Sequence, residues 1–138
     1  MNISKINTSL TIEYLTKTLE NLYLDRKRAK VSLQDLANEV ASFANANGGV
    51  IAVRITDDGI IEGFNLYGTK KLNDCQKIVS SYLNPAPVYE CELVNIKNQK
   101  DEDDNILLFH IEPATNYIVR NNKDEVYCRQ WDNSIKLT

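Results

Sequence analysis

The sequence predicts an α+β fold: a mostly antiparallel sheet built from hairpins, with two to three helices packed on it. Three observations carry this. Short runs rich in apolar and β-branched residues occupy residues 50–55, 88–96, 106–111 and 126–129. Turn signals stand between several of them, as at Asp57-Asp58-Gly59 and at residues 121–124. Helical spacing governs the stretches that begin at Ser9, Ser32 and Lys70.

Ser9 can cap a first helix, which carries Leu10, Tyr14, Leu15 and Leu19 on one face and is expected to run to about Glu20. Residues 1–8 are polar and expected to be disordered. Leu22-Tyr23-Leu24-Asp25-Arg26 alternates as a short strand would. Ser32 opens the next helix, with Asp35 at the capping-box position. Leu33, Leu36, Ala37, Val40, Phe43 and Ala44 fall on one face, and the small Ala37, Ala41, Ala44 and Ala46 let the helix lie close to a sheet. Gly48 is the natural left-handed stop.

Residues 50–55 then read as the central strand. Ile60, Ile61 and Phe64 are expected to return as its hairpin partner, with Gly63 as a bulge. Residues 70–82 read as one helix, stopped by Asn84-Pro85-Ala86-Pro87. Residues 88–96 and 106–111 form a hairpin across a polar, acidic loop. Residues 118–120 and 126–129 are expected to form the last hairpin.

A chain of 138 residues supports one domain with a real core. No apolar run approaches the roughly 20 residues of a membrane span, so no membrane partner is expected. The N-terminus lacks a secretory pattern, which predicts a cytoplasmic protein. Cys75, Cys91 and Cys128 are widely spaced and show no C-x-x-C, so they read as free thiols in the core. The net charge of −3 argues against a protein coated in positive charge. Yet Arg26, Lys27, Arg28 and Lys30 put four cations within five residues, and Asp101 to Asp104 put four anions together elsewhere. An acidic average can therefore hide one basic face.

Two constellations carry chemistry. Glu20, Asp25, Asp57 and Asp58 lie near the ends of predicted elements, and converging carboxylates of this kind bind Mg²⁺ or Mn²⁺. The plainer account makes Asp58 the turn residue before Gly59 and Glu20 a solvated helix residue. The basic run from Arg26 to Lys30 suits phosphates, or else guards a sheet edge. Arg54, a cation inside an apolar strand, requires a partner, for which Asp57 or Asp25 is expected. Asn45-Ala46-Asn47-Gly48-Gly49 follows a helix instead of preceding one, so the dipole there opposes phosphate and a tight turn explains the glycines better. His110, the only histidine, reads as a satisfied strand residue. Trp131 could stack a base, but a lid over the core is the preferred account.

Taken together these residues resemble the Schlafen AlbA-type domain, also described as a DNA-binding or divergent AAA-type domain and often found at the N-terminus of bacterial transcriptional regulators. The resemblance rests on Glu20, on Leu24-Asp25-Arg26-Lys27, on Phe43-Ala44-Asn45-Ala46-Asn47-Gly48-Gly49, on Asp57-Asp58-Gly59, on Gly63 and on Tyr127-Cys128-Arg129. The family's Glu-Phe-Lys is Asp25-Arg26-Lys27 here, and Arg54 replaces a glycine. Gln130-Trp131-Asp132-Asn133-Ser134 stands where Gly-Ser-Ser/Thr is usual. The resemblance implies a single domain over residues 1–138, the N-terminal piece of a longer protein. It implies nucleic-acid binding, DNA or RNA, through Lys27, Arg28, Lys30, Arg54 and Arg129. By likeness to vertebrate relatives it also implies a metal-dependent endoribonuclease in which Glu20, Asp25 and Asp57 hold Mg²⁺ or Mn²⁺. A non-catalytic regulatory domain that forms a homodimer through edge strands is the third possibility. No residue here supports the ATP binding attributed to some relatives.

Overall fold

The computed structural model describes residues 12–68 and 70–137, with side chains at 70 and 71 excepted. The expected disorder of residues 1–8 and the cap at Ser9 lie outside the described residues.

A four-stranded sheet runs in the order β1-β2-β5-β4, from β1 (Leu24–Lys27), β2 (Gly49–Val53), β4 (Tyr89–Lys97) and β5 (Asp103–Ile111). The pairings β2–β5 and β5–β4 are antiparallel. The edge strand β1 instead runs parallel to β2, with Asp25 opposite Ile51 and Lys27 opposite Val53. Helix α2 (Leu33–Ala44) makes the crossover between them, as parallel neighbours require. The fold is α+β as the patterning predicts, with this one parallel unit inserted.

Helix α2 begins where the side chain of Ser32 accepts a bond from Asp35 N–H at 3.0 Å. It ends at Ala44, and Gly48, whose N–H reaches Phe43 O at 2.8 Å with φ +72°, closes the turn that follows. A Cβ on Gly48 would lie 2.5 Å from Ile111 O, and one on Gly49 would lie 2.6 Å from Tyr23 O. The two glycines therefore let the turn pass between strands on either side. On this side of the sheet Leu36, Val40 and Phe43 pack on Ile51, Val53, Leu107 and Phe109, with Ile78 and Val79 from α4 (Ile78–Tyr82). The opposite side buries Leu24, Val50, Ala52, Ile106 and Leu108 under Leu15 of α1 (Ile12–Lys17).

Three expected elements differ. The hairpin between residues 50–55 and 60–64 shrinks to a single bridge, Ile55 to Ile61. Arg54 turns the chain off the strand at φ +83°, and its carbonyl accepts from Glu62 and Gly63 N–H instead. The helix at 70–82 divides at Lys77 into α3 (Lys70–Gln76) and α4. The last predicted hairpin does not form. β6 (Arg120–Asn121) pairs with β3 (Leu83–Asn84), while β7 (Val126–Gln130) pairs with β8 (Asn133–Leu137). The amide of Asn45 is the reason: it donates to Val119 O at 2.9 Å and Tyr127 O at 2.8 Å, and so stands between the two segments. The acidic loop is also shorter than expected, since β5 already begins at Asp103. Among the described residues no helix is long and apolar enough to cross a membrane.

Candidate functional site

Alternation along β1 sends Leu24 to the α1 side and Asp25 and Lys27 toward α2. There they meet Glu39 of α2 and Arg129 of β7. Lys27 Nζ lies 3.2 Å from Asp25 Oδ2 and 3.3 Å from Glu39 Oε1. Arg129 NH1 lies 3.4 Å from the same Asp25 oxygen and 3.3 Å from Glu39 Oε2. Two carboxylates and two cations thus close a ring of alternating charge. Ser134 of β8 donates to Glu39 Oε2 at 2.6 Å, and the Arg129 guanidinium lies over the Phe43 ring at 4.7 Å. Burial holds the Glu39 carboxyl above its usual range despite Lys27 and Arg129. Burial alone would lower the Lys27 ammonium, but Glu39 and Asp25 outweigh it and hold it high.

Glu20 and Asp57 join this ring from the solvent side. Glu20 Oε2 accepts from Arg26 N–H at 2.9 Å. Asp25 and Asp57 both act on its carboxyl, and both hold its proton on. Burial, then the Asp25 carboxylate, push Glu20 from an ordinary 4.5 to about 8, so at neutral pH it is largely protonated. Of the three carboxyls singled out in the sequence, Asp25 is buried, Glu20 half-buried and Asp57 exposed, and Asp25 and Asp57 both act on the Glu20 proton.

These residues suit a divalent ion in donor type, being hard carboxylate oxygens. They also suit it in charge. Four carboxyls face two cations, so full ionisation leaves an excess of two negative charges; the Glu20 proton now offsets half of it. Their side chains are not closed into a cage: among the described residues no group of three or more His, Cys, Asp or Glu stands ready to hold a metal.

The basic residues separate into two sets. Arg28 and Lys30 are exposed. With Arg26, Lys27, Val31 and Asp57 they line a hollow of about 280 Å³. Arg54 and Arg129 are not surface cations, contrary to the expectation that both face phosphate. Arg129 is spent on the ring and on Asn21 O and Leu24 O. Arg54 is 2 % exposed, donates to Gly63 O at 3.1 Å and stacks on Phe64 at 4.3 Å. The carboxylates whose charge acts on it are those of Glu62 and Asp104, not Asp25 or Asp57. It therefore does not intrude on the carboxylates. Arg26 is likewise buried, its Nε donating to Leu15 O at 2.6 Å.

Sequence reasoning missed Glu39 and Ser134. The signal for Glu39 was present: it is the only acid between Leu36 and Ala46, where helix α2 otherwise offers apolar, small and amide side chains to the sheet. Other expectations resolve simply. His110 is buried with Nε2 2.8 Å from Glu92 Oε1, on the opposite side of the sheet from α2. Cys75 is a buried thiol in no disulfide, whereas Cys91 and Cys128 are only half-buried. Trp131 is 76 % exposed and covers no core.

A family model described as Schlafen, AlbA_2 matches residues 20–138. No curated protein matches the chain. Among solved structures, the crystal structure of the DIP2311 protein from Corynebacterium diphtheriae is similar, with a TM-score of 0.58 and 19 % identity. The match covers 84 % of this chain and 22 % of that one, so the chain spans about a fifth of its length. At that identity the likeness shows a shared fold.

Proposed function

Because the chain belongs to the Schlafen, AlbA_2 family, we propose that it is a nucleic-acid-binding domain of a transcriptional regulator, gripping a sugar–phosphate backbone with Arg28, Lys30 and Lys27. The observation that carries this reading is the hollow in which Arg28 and Lys30 stand exposed beside Lys27. Exposed cations around a concavity suit phosphates, and such binding weakens steeply with salt. Titrating the chain with DNA and RNA oligonucleotides from low to moderate salt tests it; affinity that does not change with salt overturns it.

A second reading, a metal-dependent endoribonuclease, is favoured by the influence of both Asp25 and Asp57 on the Glu20 carboxyl. Glu20, Asp25 and Asp57 would hold Mg²⁺ or Mn²⁺, and a divalent ion there supplies Lewis-acid activation for phosphodiester hydrolysis. The chain's own residues do the positioning. Arg28 and Lys30 would hold the flanking phosphates, while Lys27 and Arg129 fix Asp25. Incubating tRNA with Mn²⁺ and the chain, beside Asp57→Ala, decides this reading; cleavage by the parent protein alone supports it.

A further inference from the structure

Trp131 occupies a position its side chain does not suit. Gln130 pairs with Asn133, so Trp131 and Asp132 alone make the turn between β7 and β8. Of these two, Trp131 takes a positive φ, +56°. Two-residue hairpin loops with a positive φ at their first position favour glycine there, and a bulky residue in that region is strained. Burial does not offset the strain, since the indole is 76 % exposed. Backbone strain and an apolar side chain held in water, with no packing gained, mark a residue kept for contact with something else.

The location says what that is. The turn lies two residues beyond Arg129 and three before Ser134, the pair that holds Glu39. Arg129 shares an Asp25 oxygen with Lys27, which lines the basic hollow. An exposed indole is thus presented from the same ring of charges that holds Lys27 at the edge of the hollow. We propose that Trp131 is a base-stacking residue and that the ligand of this site is a single strand, one unpaired base lying on the indole while its phosphates lie on Arg28 and Lys30. The proposal rests on the nucleic-acid-binding reading above. Cations alone do not distinguish single strand from duplex by base chemistry. A lone exposed indole does, because duplex bases are already stacked on one another.

Trp131 is the only tryptophan, so indole emission reports the contact directly. The full chain is titrated with single-stranded RNA and DNA of about 12 nucleotides, with their duplexes, and with an abasic strand of equal length. The single strands are expected to quench emission and the abasic strand to leave it unchanged. Trp131→Gly, which suits the backbone at +56°, should weaken single-strand affinity about tenfold. It should leave duplex and abasic affinity as they were, and Trp131→Phe should recover most of the loss. Equal single-strand affinity in the parent and Trp131→Gly overturns the stacking assignment while leaving phosphate binding intact. Absence of binding to every probe overturns both.

Discussion

Arg129 and Asp25 meet across 104 residues of chain, with NH1 3.4 Å from Oδ2. The Arg129 side chain is 1 % exposed and that of Asp25 4 %. Replacing Arg129 with methionine leaves the apolar stem near Phe43 but strands Asp25 and Glu39 with one cation between them. Breaking a buried pair from one side costs about 3–5 kcal/mol. Urea unfolding followed by circular dichroism should show that loss; a change within about 0.5 kcal/mol would mean the ring is not a unit of stability.

Glu20 sets a pH dependence. Its folded value of about 8 stands above the ordinary 4.5, so between those values the folded chain holds a proton that the unfolded chain has released. Stability contributed by this group therefore falls as pH rises through that window and levels above it. Glu20→Gln should flatten the fall between pH 6 and about 8, read as melting temperature against pH. A parent protein that grows steadily more stable over the same interval contradicts the assignment.

Arg28 and Lys30 are the free cations of the hollow. Replacing both with alanine should lower the slope of log affinity against log salt by about 2, near one per phosphate contact. Arg54→Met, altering a cation buried against Phe64 and Gly63, should leave that slope unchanged while lowering stability. A reversed pattern would move the interface to the other side of the chain.

Asn45 makes three bonds, to Val119 O, Tyr127 O and Val119 N–H, at 2.9, 2.8 and 2.9 Å. Asn45→Ala leaves these backbone groups without their side-chain partner, at about 1 kcal/mol each or more. A loss of about 2–4 kcal/mol is expected, measured by denaturant midpoint. Asn45→Asp, which keeps the acceptor and removes the donors, should recover only part.

Much of this site was legible in the sequence because local pattern and family motif agree there. Glu20, Asp25 and Asp57 were placed near the ends of predicted elements, and Asp25 and Asp57 both act on the Glu20 carboxyl. What was not legible depends on partners distant in sequence. Arg54 reads as a phosphate contact or as a partner of Asp57 or Asp25 until Phe64 and Gly63 are placed against it. Arg129 looks like a phosphate contact until the chain returns it to Asp25. The parallel pairing of β1 with β2 escaped notice because β1 is only four residues long and polar at Asp25, Arg26 and Lys27. The final hairpin was misassigned because residues 118–120 and 126–129 pattern as strands regardless of which neighbours they pair with. The side chain of Asn45, 74 residues before Val119, settles that.

The span from Asp25 to Arg129 also orders events at the ribosome. Asp25, Lys27 and Glu39 leave the exit tunnel well before Arg129, and at ordinary elongation rates the interval lasts about 5–20 s. For that time the nascent chain has two carboxylates and one ammonium where the finished protein has a balanced ring. Lys27, Asp25 and Glu39 therefore gain their fourth partner only when the β7–β8 hairpin arrives.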